Sequence, residues 1–479
     1  MRKIICFLIC LCALPLFSAC NNGSEKTLAS YRINLTLNED MTAKGSLEYE
    51  FICFEDGLES FCFNLYPNAF RKDVDISPVY ESDYLLAYPN GFSSGEIEIL
   101  SVKALGEKVE YKVFEANLQI LEVTFNKRLQ KGEKANIYIE FKLTLPNAIH
   151  RFGYGKNTVN LTGFYPIACV FENGEFVKNY YYPAGDPFFS ECANYFVTLS
   201  VPSAYSVASS LSAVGTVWSG GQTEYSYERK SVRDIAFILS KNFNIVKGEV
   251  GGVAVSYYYY ADENPEKTLK TATESLAFFS NQFYKYPYDE YVVCEADFIY
   301  GGMEYPCLSL ISDTAGDYRD YTVAHETAHQ WFYGIVGVNQ SEDGYLDEGL
   351  TEFATVLFMD GVGGESYLDY ITQAKNSCKA IESSLVYNGV LNPPVMNRHL
   401  KDFSCEAEYV MIAYKRSLIM IDGLRGFCGD KKFFKTLKNF VKTNAFSEVS
   451  TIDFITAFED AKHGAGDFLE EFISGKAKV

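Results

Sequence analysis

Two of the five histidines in this 479-residue chain lie four positions apart in Val323–Trp331, V-A-H-E-T-A-H-Q-W. A helix turns 100° per residue and rises about 6 Å over four residues, so His325 and His329 present their imidazoles on one face. Glu326 projects beside that face. This H-E-x-x-H spacing is typical of two zinc ligands and a general base. The stretch therefore predicts a helix that faces a cleft and shares a metal with another part of the fold.

A third metal ligand is expected nearby, because catalytic zinc sites usually combine three protein ligands with one open position. The segment Gly344–Phe353 is predicted to begin the next helix. Glu348, nineteen positions after His329, would return to the metal if the two helices are antiparallel. Asp347 and Glu352 are the competing carboxylates. Glu352, one turn further along, is better suited to orienting an imidazole.

The spacing of apolar residues changes near residue 246. Residues 27–245 carry short alternating runs such as Tyr31–Leu37, separated by turn signals, and these predict an antiparallel β-sandwich or open saddle. Helical spacing dominates residues 246–479, beginning with an amphipathic segment at 264–283. Further helices are predicted at 318–335, 347–361, 365–384, 405–427, 430–443 and 451–461. The prediction is a multidomain α+β protein whose mostly helical second domain carries the metal site.

The N-terminus has the pattern of an export signal. Met1–Lys3 is basic, Ile4–Phe17 is apolar, and small residues precede Cys20. The pattern resembles a bacterial lipoprotein signal, with residues 1–19 removed, Cys20 lipidated and residues 20–26 forming a tether. An uncleaved anchor is the alternative, but about 14 apolar residues are too few to span a bilayer. We expect an exported, membrane-anchored lipoprotein that lies outside the cytoplasm.

Composition argues against several classes of partner and site. The formal net charge is −20, so no nucleic-acid or anionic membrane surface is expected as a partner of the folded domains. Four of the thirteen cysteines belong to the signal, and the other nine show no C-x-x-C spacing, which argues against a zinc ribbon or redox motif. An exported location permits disulfides, but the sequence assigns no pairing, and buried thiols fit equally well.

Three motifs in order resemble the gluzincin metallopeptidases of the aminopeptidase N family, which includes the leukotriene hydrolases. They are H-E-x-x-H with Glu348, the segment Gly301–Tyr305 (G-G-M-E-Y) beside the family's G-x-M-E-N, and the segment Tyr414–Ser417 (Y-K-R-S) beside its Y-E-K-G. The resemblance implies a β-rich domain followed by a thermolysin-like catalytic domain. It also implies one zinc ion per chain, held by His325, His329 and Glu348.

The resemblance further implies how the bond is broken. Glu326 would take a proton from the attacking water and pass it to the leaving amine. Tyr414 would donate a hydrogen bond to the oxyanion that develops in the transition state. Tyr409, five positions earlier, is the weaker candidate for that role.

Glu304 would decide which bond is cut. A carboxylate beside the metal attracts the protonated α-amine of a peptide, so that only the first peptide bond can be placed at the zinc. Gly301 and Gly302 would let the backbone approach the substrate closely, and the extended edge through Met303 would pair with the peptide.

The sequence departs from the family pattern in three places. Tyr305 stands where the family commonly has Asn. Many relatives have a second amine-binding carboxylate or amide in the region that corresponds to Thr162–Pro166, which has neither. Amine recognition would then rest on Glu304 alone, or with help from Tyr165. Only 65 residues follow Tyr414, so we expect a short form without the C-terminal helical-repeat domain of larger members, and a more open site.

The leading prediction is a zinc-dependent aminopeptidase that trims exported or environmental peptides at the outer face of a bacterial membrane. One alternative is a zinc endopeptidase, which would cleave N-acetylated peptides as fast as peptides with a free amine. The other is a non-catalytic surface protein of the same fold that binds peptides. The intact set of motif residues argues against that reading, and purified protein without stoichiometric zinc would favour it.

Overall fold

The structure, a computed structural model, describes residues 28–479 except for 115, 365 and 391. The predicted signal peptide, the lipid attachment at Cys20 and the tether lie outside the described residues. Within the described part, no helix has both the length and the apolar character needed to cross a membrane.

The first region is built from antiparallel sheets. Its strands, numbered in chain order, are β1 (Ser30–Leu37), β2 (Thr42–Ile52), β3 (Leu58–Asn64), β4 (Glu96–Ala104), β5 (Glu107–Lys108), β6 (Tyr111–Phe114), β7 (Ile120–Leu129), β8 (Lys134–Thr144), β9 (Gly153–Tyr154), β10 (Thr158–Thr162), β11 (Ile167–Ala168), β12 (Phe171–Glu172), β13 (Glu175–Phe176), β14 (Ala193–Pro202), β15 (Ser206–Ser209), β16 (Ser212–Ser219), β17 (Gln222–Val232) and β18 (Ala236–Ser240). The largest sheet has the order β16-β17-β14-β1-β2-β8-β4-β5, and two four-stranded sheets have the orders β15-β18-β10-β9 and β11-β3-β7-β6. In the largest sheet β1 pairs with β14 in parallel, and its other neighbouring strands are antiparallel.

Alternation of apolar and polar residues builds this region. In β1 the buried Ile33 and Leu35 alternate with the exposed Arg32 and Asn34, because successive side chains of a strand point to opposite faces. Leu47 of β2 lies directly opposite Ile33 and is fully buried. The buried faces of the sheets meet in one hydrophobic core. The predicted antiparallel β-rich fold of the first region is confirmed.

The second region combines helices with one further sheet. Its strands are β19 (Asn244–Val250), β20 (Val253–Tyr259), β21 (Glu290–Ala296), β22 (Gly302–Met303), β23 (Leu308–Ser312), β24 (Val336–Val338) and β25 (Ser447–Val449). The first five form a sheet in the order β19-β20-β21-β23-β22, with β22 at its edge. Strands such as β21 are buried along most of their length, and a short apolar run of that kind cannot be told from a buried helix by periodicity.

The helices of the described chain are α1 (Tyr84–Ala87) in the first region and, in the second, α2 (Pro265–Gln282), α3 (Arg319–Ala328), α4 (Gln340–Phe358), α5 (Tyr367–Tyr387), α6 (Glu406–Tyr409), α7 (Ser417–Cys428), α8 (Asp430–Thr443), α9 (Thr451–Ala461) and α10 (Ala465–Ile473). The prediction of a mostly helical second region after a β-rich first region is confirmed, with the five-stranded sheet as an addition.

Several helix boundaries differ from those predicted. The zinc-motif helix α3 ends at Ala328, and the chain then turns into β24 through Tyr333, whose φ of 117° no helix can hold. The next helix, α4, begins at Gln340 because the side chain of Asn339 accepts a hydrogen bond from the Ser341 N–H and caps it. A π-helical turn (Val410–Arg416) interrupts the helix predicted at 405–427. Helix α10 was not predicted.

The two regions are joined through a buried arginine. Arg233, which lies just before β18, places a guanidinium nitrogen 2.7 Å from Glu448 of β25. It also donates to the carbonyl oxygens of Tyr333 and Ser190. Because a buried charge is costly unless it is paired, these bonds fix the β-rich region against the segment that comes after α3.

Candidate active site

The H-E-x-x-H helix brings its two imidazoles together. His325 lies within α3 and His329 is the residue at its C-terminal end. Their Nε2 atoms are 3.2 Å apart and both side chains are buried. Two ring nitrogens that face each other at this distance fit a common cation.

Glu348 completes the set of facing donors. Its Oε2 atom lies 3.3 Å from Nε2 of His325 and 3.4 Å from Nε2 of His329, and the three ligand atoms lie within 4.8 Å of one another. This oxygen is buried and accepts no hydrogen bond from the described residues. Burial acts to raise the pKa of Glu348, but the two imidazoles lower it to about 2. Two imidazole nitrogens and one ionised carboxylate oxygen are the donors of a catalytic zinc site.

The two competing carboxylates stand behind the imidazoles. Oδ1 of Asp347 lies 3.0 Å from Nδ1 of His329, and Oε2 of Glu352 lies 3.5 Å from Nδ1 of His325. Lys415 in turn places Nζ 2.6 Å from Glu352. A carboxylate on the far ring nitrogen fixes the orientation and tautomer of a metal-binding imidazole. The structure thus places both carboxylates where they orient the ligands.

Glu326 lies beside the facing donors. Its carboxylate is buried, and Oε2 has no hydrogen-bond partner among the described residues. Burial raises the pKa of Glu326 to about 8, although His325 and His329 act to lower it. A side chain at position 302 would overlap this carboxylate, which explains Gly302 in β22. Glu326 is therefore a carboxyl group with raised proton affinity at the edge of the donor set.

Tyr414 is held against the donor set by the π-helical turn. Its hydroxyl donates to Oε1 of Glu348 over 2.6 Å, and its ring lies on that of His325 with centroids 5.8 Å apart. Turns of this type occur frequently at functional sites. Tyr409 also lines the cavity, but among the described residues no hydrogen bond joins its hydroxyl to the donor set. Of the two tyrosines, Tyr414 is the one that reaches the donors.

Glu304 follows the edge strand β22 and is 3% exposed. The side-chain amide of Gln340 donates to Glu304 over 2.8 Å and to Asp347 over 2.7 Å. Burial raises the pKa of Glu304, against the lowering effect of His329. Ligand atoms of Glu304, His329 and Asp347 also lie within 4.8 Å of one another. Glu304 therefore stands at the His329 end of α3, and Gln340, which the sequence did not single out, holds it there.

Tyr305, in the position where the family commonly has Asn, points away from the cavity. It is fully buried and donates to Oγ1 of Thr162 over 2.6 Å. The expected help from Tyr165 is also not seen. The Tyr165 hydroxyl is buried in the β-rich core, where it contacts Tyr195 and Asp234, and it does not line the cavity. Both side chains therefore serve packing between elements.

Two residues of the β-rich region that the sequence did not single out do line the cavity. The cavity has a volume of about 420 Å³, and its lining includes Asp186 and Arg151 together with Glu304. Asp186 and Arg151 form a buried ion pair. Burial raises the pKa of Asp186 to about 7, although Arg151 acts to lower it. The only sign of Asp186 in the sequence was the turn Gly185-Asp186-Pro187. Its ion-pair partner Arg151 is 35 residues away, so no local pattern connects the two.

The structural and sequence comparisons agree with this geometry. Residues 267–474 match the model of the peptidase family M1 domain. The fold is similar to the crystal structure of an M1 zinc metallopeptidase from Deinococcus radiodurans, with a TM-score of 0.69, 19% identity and 95% of each chain covered. It is also similar to a mutant of that enzyme bound to a Tyr-Ser-Ala substrate, with a TM-score of 0.66 and 18% identity over 95% of each chain.

Two curated relatives are similar to this chain at low identity. Leukotriene A-4 hydrolase of Xenopus laevis is 29% identical over 203 residues, which are 41% of this chain and 32% of that protein. Endoplasmic reticulum aminopeptidase 2 of Bos taurus is 24% identical over 399 residues, which are 75% of this chain and 40% of that protein. The chain spans less than half the length of each of these relatives.

The donor chemistry, the fold and the family model support one another. The three facing donors suit one zinc ion, and the M1 structures that the fold resembles are zinc metallopeptidases. The resemblance to the aminopeptidase N-like gluzincins is confirmed. Residues 267–474 match the peptidase family M1 domain, and the fold of the chain is similar to that of an M1 zinc metallopeptidase.

Proposed function

We propose that this protein is a zinc-dependent aminopeptidase that removes N-terminal residues from peptides. The observation that carries the proposal is the position of Glu304. Its buried carboxylate lies within 4.8 Å of the donor atoms of His329 and Asp347 and lines a cavity of about 420 Å³. A carboxylate in that place pairs with a protonated α-amine and sets the first peptide bond at the metal.

Each side chain of the site has a separate role in cleavage of the peptide bond. His325, His329 and Glu348 would hold the zinc, which lowers the pKa of a water molecule and polarises a carbonyl when bound. Glu326, whose buried carboxyl group lies beside these ligands, takes the proton from the attacking water and delivers it to the leaving amine. The Tyr414 hydroxyl shifts its hydrogen bond to the substrate oxygen as negative charge develops there.

Asp186 is proposed as the second group that recognises the amine. The family's usual position for this group is occupied here by buried side chains, but Asp186 enters the same cavity from a different segment of the β-rich region. Arg151 holds the Asp186 carboxylate in place. Glu304 and Asp186 would thus receive the α-amine from two sides. Replacement of Asp186 by Asn is expected to raise KM for free-amine substrates while kcat changes less.

The N-terminal pattern supports attachment of the protein to the outer face of a bacterial membrane through lipidated Cys20. Expression of the full chain in bacteria with a radiolabelled fatty acid tests this. Wild type is expected to carry label and to fractionate with membranes, and Cys20→Ser is expected to carry none. Label that persists in Cys20→Ser would contradict the proposal.

Hydrolysis of amino-acid arylamides tests the peptidase assignment. Wild type is expected to cleave several free-amine arylamides and to lose this activity with a chelator. Glu326→Ala is expected to retain stoichiometric zinc without turnover, and Glu304→Ala to lose mainly the activity on free-amine substrates. If wild type cleaves internal bonds but no free-amine arylamide, the protein is an endopeptidase. If purified protein binds no zinc, the non-catalytic alternative holds.

A further inference from the structure

A second and larger groove adjoins the active-site cavity. It has a volume of about 1140 Å³ and lies between α2, α3 and α5. Tyr321, Glu352 and Lys415 line both the groove and the cavity. The cavity and the groove are therefore neighbours, and these three side chains, which are joined through Glu352, form their common border. The chemistry described above uses only the smaller cavity.

The helix α3 gives the direction in which a peptide would run. Tyr321, His325 and His329 succeed one another at intervals of four residues, so they lie on one face at steps of about 6 Å. Glu304 stands at the His329 end, and the groove begins at Tyr321. A peptide whose amine is held by Glu304 thus passes the two imidazoles first and Tyr321 afterwards. The groove lies on the leaving side of the cleaved bond.

The spacing also indicates which residues of the peptide would enter the groove. An extended chain advances about 3.3 Å per residue, and the edge strand β22 runs beside the cavity, where an extended peptide could pair with it. Tyr321 lies about 6 Å beyond His325 along α3. Two residues cover that distance, so the third and fourth residues of a peptide would be the first to reach the groove.

The groove has an excess of negative charge. Each of its lysines faces a carboxylate, with Nζ–carboxylate distances of 2.6 Å for Lys267 and Asp320, 3.8 Å for Lys270 and Glu274, and 2.6 Å for Lys415 and Glu352. Asp317 and Asp369 also line the groove and have no cation within 4.0 Å in the part of the chain that the structure describes. These two exposed carboxylates leave the groove with uncompensated negative charge.

We propose that this groove holds the leaving portion of the peptide substrate and favours basic residues at its third and fourth positions. The inference rests on the proposed aminopeptidase function and adds a substrate class to it. Asp317 and Asp369 attract a cationic chain and repel an acidic one, and neither residue touches the reacting atoms. The active-site cavity alone would select the first residue of the peptide, and the groove would select residues further along it.

Three pentapeptide amides with a free α-amine provide the test. They share the first residue that the arylamide assay shows to be best, have alanine at positions two and five, and carry two lysines, two alanines or two glutamates at positions three and four. At low salt, wild type is expected to show the highest kcat/KM for the lysine peptide and the lowest for the glutamate peptide, about tenfold apart. About 0.5 M salt should remove most of the difference.

Variants connect the preference to the groove. The double variant Asp317→Asn/Asp369→Asn is expected to bring the lysine-to-glutamate ratio close to one, and Asp317→Lys/Asp369→Lys to invert it. The matched control is Asp467→Asn/Glu470→Gln on α10, which changes the net charge as much as the Asn double variant does, at residues that line neither cavity nor groove. Cleavage of the single-residue arylamide should be unchanged in all three variants.

The outcomes separate this inference from the one on which it rests. If wild type cleaves the arylamide but treats the lysine and glutamate peptides alike at low salt, the groove does not select the leaving portion. The same conclusion holds if the control variant shifts the ratio as much as the groove variant. If wild type fails to cleave the arylamide, the aminopeptidase function itself is wrong.

Discussion

The β-rich region and the active-site region bury different kinds of side chain. In the β1–β2 ladder the buried side chains are hydrophobic, and they include Ile33, Leu35 and Leu47. Around the zinc motif the buried side chains include five carboxylates, those of Glu304, Glu326, Asp347, Glu348 and Glu352, each no more than 5% exposed. Burial of hydrophobic side chains stabilises a fold, whereas burial of charge costs free energy unless it is compensated. Burial in the β1–β2 ladder therefore stabilises the fold. Burial of the five carboxylates around the zinc motif lowers stability and provides the groups needed for catalysis.

Removal of the metal should show the largest effect. Zinc bound only to the folded state stabilises it by about 4 kcal/mol when its concentration is a thousand times Kd. Chelation should therefore abolish activity and lower the melting temperature of the catalytic region, because the positive charge of zinc then no longer offsets the negative charge of the buried carboxylates. Differential scanning calorimetry with and without a chelator measures the effect. A thermogram that chelation leaves unchanged would mean that zinc is not part of the folded site.

Glu326→Gln should separate activity from stability. The loss of a general base is expected to lower kcat by about 10²- to 10⁴-fold. The melting temperature should stay equal or rise, because a buried carboxyl with a raised pKa is replaced by a neutral group of the same shape. Arylamide kinetics and thermal unfolding of the zinc-loaded variant check both expectations. A variant that melts several degrees lower would show that Glu326 supports the fold.

Leu47→Ala should give the opposite result in the β-rich region. Truncation of a fully buried leucine costs about 2–5 kcal/mol of unfolding free energy. Leu47 lies opposite Ile33 within the sheet and is not among the residues that line the cavity. Urea unfolding should show the loss, while kcat per folded molecule stays at the wild-type value. A drop in kcat at equal zinc content would show that the sheet core and the site are coupled.

Asp234→Asn should give the smallest effect and a specific pH dependence. Asp234 is a buried carboxyl group of the β-rich region, and burial raises its pKa to about 7 against the lowering effect of hydrogen bonds from Ile235 and Tyr165. The folded state thus binds this proton more tightly than the unfolded state. The contribution of Asp234 to stability therefore falls as the pH rises from about 4 to about 7. Urea unfolding at pH 5 and pH 8 should show a smaller difference for Asp234→Asn than for wild type.

The sequence predicted the parts of the site that depend on spacing within one element. His325 and His329 follow from helix geometry, and the alternation in β1 follows from the period of a strand. The prediction of Glu348 as the third ligand also required a second helix a short distance along the chain. Asp186 and Arg151 reach the cavity through the packing of distant segments, and Gln340 lies in a helix turn that the apolar pattern did not predict. Contacts of this kind leave no local pattern in the sequence.

The most direct test of the account compares one peptide with its N-acetylated form. The wild-type enzyme should cleave the first bond of the free-amine peptide at least about 100-fold faster, because acetylation removes the charge that the buried Glu304 would pair with. Glu304→Gln should reduce that ratio mainly by slowing the free-amine peptide. Equal rates on the two forms by wild type would contradict the assignment of Glu304 and with it the aminopeptidase function.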